Sequence, residues 1–252
     1  MNSKKYPLEP TDTSLRAAAI IAGLGLLFMA ILAPIVEFNV FQKLIIPGDA
    51  TRTAENILVS TAAFRMGAIV FLIVAILDVV VAWALYILFK PVNQSLSLLA
   101  AWLRIIYAAI LAISLNNLFN VLQLLTVSGY SALAKDQVYT QVLMFASAFR
   151  NGWNIGLVLF GLHLVILGYL AFRSGYVPKW LGLLVIVAGF GYLFDSFRIL
   201  LLPDLDFTIA QFTFIGEVLL IFWLFWKGIK GFDRELDRHN RLHQRQTLIE
   251  QS

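Results

Sequence analysis

The sequence contains no cysteine, and this absence removes several classes of site at once. Disulfide bonds, thiolate metal sites and cysteine nucleophiles are all excluded. Charged residues are also scarce, at 13% of the chain compared with about 25% in soluble domains. Hydrophobic residues make up 60% of the 252 residues. The composition therefore excludes an ordinary soluble domain and is typical of a polytopic membrane protein.

Familiar catalytic and ligand-binding motifs are missing as well. The sequence has no HExxH zinc motif, no Gly-x-Ser-x-Gly nucleophile motif, no aspartate-rich magnesium motif and no arginine-rich voltage-sensing helix. We therefore expect no cofactor and no bound metal. The net charge of +4 comes mainly from basic residues at the ends of apolar runs and in the C-terminal segment. Membrane topology explains this pattern, so we expect membrane lipids as partners and no nucleic acid.

Long apolar runs dominate what is present. At about 20 apolar residues per membrane span, the pattern predicts an all-α polytopic bundle of six transmembrane helices in residues 15–228. A cytoplasmic N-terminus at 1–14 and a charged cytoplasmic tail at 229–252 flank this bundle. The six helices are expected near residues 15–38, 64–89, 96–126, 138–172, 180–202 and 208–228.

Basic residues are distributed unequally between the two sides of this predicted bundle. One side carries Lys4, Lys5, Arg16, Lys90, Arg173, Lys179, Lys227, Lys230, Arg234, Arg238, Arg241 and Arg245. The other side has Lys43, Arg52, Arg65 and Lys135. Cytoplasmic loops carry the excess of lysine and arginine, so both termini are predicted to be cytoplasmic.

The connection at residues 39–63 is long enough to contain structure of its own. Pro47 and Gly48 indicate a turn, and Asp49 is suited to cap a helix that follows it. We predict a short outer-face helix near residues 50–62. It is either a lid over the bundle or a connector at the membrane interface, and we favour the connector.

Four ionisable residues fall at one depth on four predicted helices. At 1.5 Å per residue, Asp78, Arg104, His163 and Glu217 lie about 15 to 18 Å from the cytoplasmic boundary. This is the middle of a hydrocarbon core about 30 Å thick. Charged groups at that depth face the bundle interior and pair with one another. We predict that these four residues, termed the central cluster, meet inside the bundle.

A second set of polar residues lies nearer the outer side. Its members recur at helical spacing and are expected to face inward or to line a cup that is open to the outside. As the vestibule of a ligand site, they would contact the polar head of an amphipathic molecule. Alternatively, Arg150 pairs with Asp195 or Glu37 and the asparagines bond across helices. The vestibule candidates are Asn116, Asn120, Arg150, Asn154, Asp195 and Arg198.

Three stretches carry a family resemblance. "LIIPGDATRTAENIL", "LFKPVNQSLSLLAAWLR" and "FGLHLVILGYLAFRSGYVPKWLGLLVIVAGFGYLFDSF" resemble the bacterial membrane proteins grouped as domain-of-unknown-function family 4386. The similarity runs from the first apolar stretch to "WKGI", and only the C-terminal tail departs from it. The resemblance implies a helical membrane fold and a location in the bacterial inner (cytoplasmic) membrane. It implies no catalytic residue, since the family has no established activity.

Three functional hypotheses follow from the central cluster. In the first, the protein binds or translocates a small amphipathic molecule, and the central cluster holds or relays a proton. In the second, an intramembrane enzyme acts on a lipid-like substrate, with Asp78 or Glu217 as base, His163 as acid–base partner and Arg104 stabilising negative charge. In the third, a structural membrane subunit uses a buried ion-pair network to fix helix register. Zinc bound by Asp78, His163 and Glu217 is disfavoured because Arg104 would repel the metal.

The absence of native cysteine makes the predicted topology directly testable. Single cysteines at Ser3, Ser131 and Ser252 are to be probed on intact cells with an impermeant thiol reagent. We expect labelling only at position 131, because the other two positions are predicted to be cytoplasmic. Labelling at positions 3 and 252 but not at 131 would reverse the topology, and permeabilised cells provide the control for reactivity.

Overall fold

The computed structural model describes residues 14–126, 134–202 and 207–231, and every regular element in them is helical. The predicted N-terminal segment at 1–14 and the tail at 229–252 therefore lie almost entirely outside the described residues. A π-helical turn, Glu37–Phe41, joins α1 to α2. The α-helices are α1 (Leu15–Val36), α2 (Gln42–Leu44), α3 (Ala50–Val59), α4 (Thr61–Phe89), α5 (Gln94–Thr126), α6 (Lys135–Arg173), α7 (Lys179–Leu201), α8 (Ala210–Thr213) and α9 (Ile215–Lys230).

Within residues 14–126, 134–202 and 207–231, five helical segments are long and apolar enough to cross a membrane, which confirms the all-helical, multi-pass character. The segment predicted as a sixth span at 208–228 is instead divided into α8 and α9 by a break at Phe214. Helix α9 alone has 16 residues. At 1.5 Å per residue it is about 24 Å long, shorter than a hydrocarbon core of about 30 Å. The five segments are Leu15–Leu44, Thr61–Phe89, Gln94–Thr126, Lys135–Arg173 and Lys179–Ile199.

Local sequence explains how the outer connection is shaped. The Asp49 side chain accepts a hydrogen bond from the Arg52 backbone N–H at 2.9 Å, so the predicted cap is present at the start of α3. Helix α1 contains Pro34 and continues into the π-helical turn. An extra residue per turn changes the direction in which side chains point. Glu37 and Phe41 on this turn are consequently buried in the bundle.

Six helices form a closed ring. Along the chain α1 packs against α4, α4 against α5, α5 against α6, α6 against α7 and α7 against α9, and α9 returns to α1. Neighbours run antiparallel: on α1, for example, Gly23 faces Leu224 and Ile20 faces Gly228. The start of α1 and the end of α9 therefore lie at the same end of the ring, which we call the N-terminal end; the opposite end carries α2 and α3.

The outer surface of the ring is largely apolar. On α5, for example, one exposed face forms a shallow open groove of about 390 Å³. Such a surface suits contact with lipid chains, because there is no water to satisfy polar groups in a hydrocarbon phase. This α5 groove is lined by Ser95, Leu98, Leu99, Trp102, Leu103 and Ile106.

Glycines bring α6 and α7 into backbone contact. A Cβ atom added at Gly168 would lie 2.7 Å from the Gly182 carbonyl oxygen and 2.7 Å from the Ile186 backbone nitrogen. One added at Gly161 would lie 2.9 Å from the Gly189 carbonyl oxygen. The two contacts are seven residues apart on each helix, so the close approach continues along the seam. Small residues at a helix interface permit this approach.

Adding one methyl group to this seam should destabilise the protein. We expect Gly168→Ala to lower stability by about 1 to 3 kcal/mol, or roughly 3 to 10 °C in melting temperature, because the neighbouring atoms are backbone and cannot rotate away. The matched control is Gly23→Ala, whose added Cβ would lie 3.4 Å from the Leu224 side chain. That variant should melt at or slightly above the wild-type temperature, since alanine favours helix. Equal melting temperatures for both variants, measured in detergent, would contradict the close packing.

Candidate functional site

Arg104 is the hub of the central cluster. Its Nη2 donates to Asp78 Oδ1 at 2.6 Å, and its Nη1 lies 3.2 Å from His163 Nε2. The guanidinium carbon is 5.1 Å from the centre of the Phe160 ring. All three polar side chains are fully buried. A buried charge is stable only when it is paired and hydrogen-bonded, so these contacts hold α4, α5 and α6 in one arrangement.

The hydrogen bonds of His163 define its tautomer. Nδ1 lies 2.8 Å from the Ala100 carbonyl oxygen, which can only accept, so Nδ1 carries the proton. Nε2 faces the Arg104 N–H donor and must therefore accept with its lone pair. His163 is thus a neutral imidazole with both nitrogens engaged. A second proton on Nε2 would break its bond to Arg104, which weighs against the acid–base role considered for His163 in the enzyme hypothesis.

Glu217 joins the cluster through an intermediary. Its carboxyl group interacts electrostatically with the Tyr192 hydroxyl on α7 and with Arg104 and Asp78. The Glu217 side chain is half-buried, whereas Asp78 and Arg104 are fully buried. The structure therefore brings the four predicted residues together, three in direct contact and the fourth beside them.

Aromatic side chains fill the space around the cluster. The Phe160 ring lies 5.0 Å from Tyr107 and 5.1 Å from Tyr192, centre to centre. The Tyr107 hydroxyl accepts a hydrogen bond from the Trp153 indole N–H at 3.3 Å. Helices α4, α5, α6, α7 and α9 each contribute a polar group at this level, while α1 contributes small and apolar residues such as Ala22 and Leu26.

Two buried atoms of the cluster have no hydrogen-bond partner among the described residues. One is Arg104 Nε, which is a donor, and the other is Glu217 Oε1, which is an acceptor. Leaving a buried polar atom unsatisfied costs about 1 to 3 kcal/mol, and more for a charged group. The two atoms are complementary, a donor and an acceptor, but no hydrogen bond joins them: the Arg104 guanidinium bonds Asp78 and His163 instead.

A layer of aromatic side chains fills the end of the ring opposite its N-terminal end. Phe41, which the π-helical turn directs inward, packs edge to face with three phenylalanines at centre-to-centre distances of 5.2 to 5.8 Å. Such edge-to-face pairs are favourable beyond the area they bury. We call this group the outer aromatic layer; it consists of Phe41, Phe64, Phe71 and Phe149.

A single tyrosine closes the N-terminal end. Tyr176, in the connection between α6 and α7, stacks on Phe89 at 6.1 Å and on Trp223 at 6.4 Å. Its hydroxyl donates to the Leu88 carbonyl oxygen at 2.6 Å. Burial raises the pKa of the Tyr176 hydroxyl, so this donor stays protonated at neutral pH. The central cluster thus lies between Tyr176 and the outer aromatic layer.

Arg150 in the predicted vestibule is paired. Its Nη1 donates to Glu37 Oε1 at 3.0 Å, which is the alternative that the sequence left open. Asp195 does not pair with Arg150; its carboxylate accepts from the backbone N–H groups of Ile209 and Ala210 at 2.8 to 3.0 Å. Asp195 therefore secures the start of α8, and Arg198 lies half-buried one turn further along α7.

The asparagines of the vestibule do not form one inward face. Asn116 is exposed, while Asn120 and Asn154 are half-buried. Asn116 does not face the bundle interior, because leucines at positions 111, 115, 118 and 122 of α5 occupy the buried face; whether it lines a cup open to the outside stays a prediction. A leucine stripe buries more apolar area than an asparagine stripe, and this decides the helix rotation.

Metal coordination finds no support in the described part of the chain. No group of three or more histidine, aspartate or glutamate side chains is arranged to hold a metal ion among the described residues. The arrangement of the cluster gives the reason: Arg104 lies between Asp78 and His163 and bonds to both.

Sequence reasoning missed the aromatic members of this site. Tyr107, Phe160 and Tyr192 each lie about 20 Å along their helices from the N-terminal end of the ring, by the same count of 1.5 Å per residue. A depth count that included tyrosines as well as charged residues would have identified Tyr107 and Tyr192, but not Phe160. Tyr176 gave no such signal, because its position depends on how a short loop folds back into the ring.

Comparisons with known proteins agree with this fold. The family model described as Domain of unknown function (DUF4386) matches residues 21–228, a range that includes the whole central cluster, and confirms the resemblance found in the sequence. The chain is also similar to an uncharacterized protein of Archaeoglobus fulgidus, with 38% identity over 161 residues, or 64% of this chain and 82% of the relative. No solved structure matches the chain.

Removing one partner of the buried ion pair between Asp78 and Arg104 should lower the stability of the protein far more than removing one partner of an exposed ion pair. We expect Asp78→Leu to destabilise the protein by about 3 to 5 kcal/mol, because Arg104 would be left as an uncompensated buried charge. The double variant Asp78→Leu with Arg104→Met should recover much of that loss, since it removes both charges. Melting temperature in detergent is the measurement.

The control is Glu55→Gln, which breaks the pair between Glu55 and Lys135, whose side chains are 53% and 67% exposed. That change should have little effect, as for most surface ion pairs. If Asp78→Leu were as mild as Glu55→Gln, or if the double variant were less stable than the single, the proposed charge compensation would be refuted.

Proposed function

The chain belongs to the family described as Domain of unknown function (DUF4386), and because that description names no activity, we propose from the geometry that the protein binds a small amphipathic molecule of the bilayer inside its helix ring. The polar head of the molecule would contact the central cluster. Its apolar part would lie along the outer surface of α7 and α9, because Gly216 brings the backbones of these two helices into contact. Movement across the membrane would additionally require Tyr176 or the outer aromatic layer to open.

One observation carries this proposal: the side chains of the cluster at the junction of α7 and α9 are less buried than those inside the ring. Tyr176 and the outer aromatic layer cover the two ends. Tyr192 and Glu217, by contrast, are only half-buried, and both lie where α7 meets α9. A molecule dissolved in the membrane would therefore approach from the bilayer rather than from water.

The helix break supports a binding role for this side. Helix α9 begins at Ile215, so Glu217 lies in its first turn, beside the cluster. Membrane proteins that bind solutes within the bilayer commonly use such discontinuous helices, whose first-turn N–H groups face polar ligands. At this break the backbone N–H groups of Glu217 and Val218 both donate to the Phe214 carbonyl oxygen, so the Glu217 side chain is the polar group that α9 offers to the cluster.

We further propose that the protein lies in the cytoplasmic membrane. It would cross this membrane six times, with both termini in the cytoplasm. Helices α8 and α9 together would form the sixth span, antiparallel to α1 and α7. Among the described residues, the N-terminal end of the ring has basic and no acidic side chains, as positive-inside topology requires. These basic residues are Arg16, Lys90, Arg173, Lys179, Lys227 and Lys230.

Photo-crosslinking tests the binding proposal. Alkyl diazirine probes of about twelve carbons, carrying a hydroxyl, amine or carboxylate head, are to be added to the protein in lipid nanodiscs. At least one probe should label α7 and α9 near Tyr192 and Glu217 more strongly than the α5 groove, which provides the measure of bulk lipid contact. Peptide mapping by mass spectrometry gives the ratio of labelling at α7 and α9 to labelling at the α5 groove.

The variant Glu217→Leu should reduce labelling at α7 and α9 by roughly fivefold, which corresponds to the loss of about 1 kcal/mol from one hydrogen bond. Labelling of the α5 groove should not change. Uniform labelling of both surfaces in the wild type, for every probe, would refute the proposal and favour a structural role for the cluster.

A further inference from the structure

We infer that the bound molecule carries a neutral hydroxyl head, so that the ligand is an amphipathic alcohol. This inference rests on the proposed binding function and names the ligand class of the same site. It starts from the two complementary unpartnered atoms, the donor Arg104 Nε and the acceptor Glu217 Oε1. Arg104 is 2% exposed, so water does not reach its guanidinium from outside the ring.

The hydrogen-bonding inventory of simple head groups discriminates between ligands. The head must accept from Arg104 and donate to Glu217. A hydroxyl has one donor and two acceptor lone pairs, so it satisfies both atoms with a single oxygen. An ether accepts but cannot donate. An ammonium group donates but cannot accept, and a carboxylate accepts but cannot donate.

The charges of the cluster lead to the same choice. A carboxylate head would add a third anion beside Asp78 and Glu217. An ammonium head would be attracted to these two carboxylates but would leave the donor Arg104 Nε unpaired. Like charges in a poorly solvated site repel one another strongly. The outer cation Arg150, which could have attracted an anionic head, is already paired with Glu37 at 3.0 Å. A neutral head avoids both penalties.

Tyr192 leaves room for this arrangement because its hydroxyl is already used. It interacts with the Glu217 carboxyl group, while Oε1 of that group has no hydrogen-bond partner among the described residues. One carboxylate accepts several hydrogen bonds, so a ligand hydroxyl would donate to Glu217 without displacing Tyr192. The Phe160 and Tyr107 rings beside Arg104 would then contact the first carbons of the ligand chain.

Competition among matched ligands tests the inference. Four unlabelled compounds with the same chain of about twelve carbons, an alcohol, its methyl ether, an amine and a carboxylate, compete with the hydroxyl diazirine probe in nanodiscs. The alcohol should compete best, by about tenfold over the ether, because the ether leaves a buried acceptor unpaired. An ether that competes as well as the alcohol, or an amine or carboxylate that competes better, would overturn the inference.

Two variants of one residue separate hydrogen bonding from charge. Glu217→Gln keeps an acceptor oxygen and removes the charge, so the preference for alcohol over ether should persist within about threefold. Glu217→Leu removes the acceptor, and alcohol and ether should then compete equally. Loss of the preference in Glu217→Gln would point to charge recognition and contradict the hydroxyl assignment. Melting temperatures establish that both variants are folded.

These outcomes are distinguishable from failure of the proposed function. If no probe with any head labels α7 and α9 above the α5 groove, binding inside the ring is refuted. If probes label that region but the alcohol is not preferred, binding stands and the hydroxyl assignment fails.

Discussion

The guanidinium of Arg104 is the constraint on which the rest of the structure depends. A fully buried cation inside a ring of apolar helices is stable only if its partners arrive in the correct geometry. Asp78 supplies the compensating charge, and His163, fixed as a neutral tautomer by the Ala100 carbonyl, supplies an acceptor. Three helices are thereby held in one register, because a shift of any of them by one residue would leave a buried charge unpaired.

Packing brings these groups to one level. Gly152 and Gly156 bring α6 close to α5, which presents His163 to Arg104, and Gly216 brings α9 close to α7 beside Glu217. Tyr176 and Phe41 then pack aromatic rings into the two ends of the ring. Exclusion of water strengthens each polar contact and raises the cost of each unpaired atom. The unpartnered atoms of Arg104 and Glu217 matter for the same reason.

Hydropathy and charge spacing predict much of this fold. The long apolar runs indicate the helices, and a depth count along them identifies Asp78, Arg104, His163 and Glu217, because hydrocarbon makes every charge at mid-depth conspicuous. The break at Phe214 has no such signal, since no proline, glycine or charged residue stands between positions 210 and 215. The direction in which Asn116 points also escaped prediction, because leucines compete for the buried face and helix rotation depends on the whole bundle.

Closure of the ring by α9 is the central claim, since it places Glu217 beside Arg104. A cysteine-free chain permits a direct measurement: oxidation of the double variant Gly23→Cys with Leu224→Cys in membranes. A Cβ at position 23 lies 3.4 Å from that of Leu224, close to the span of about 3.5 to 4.5 Å in disulfides. Intact-mass analysis should show an intramolecular disulfide in most of the protein. Two free thiols after oxidation would contradict the closed ring and the site that depends on it.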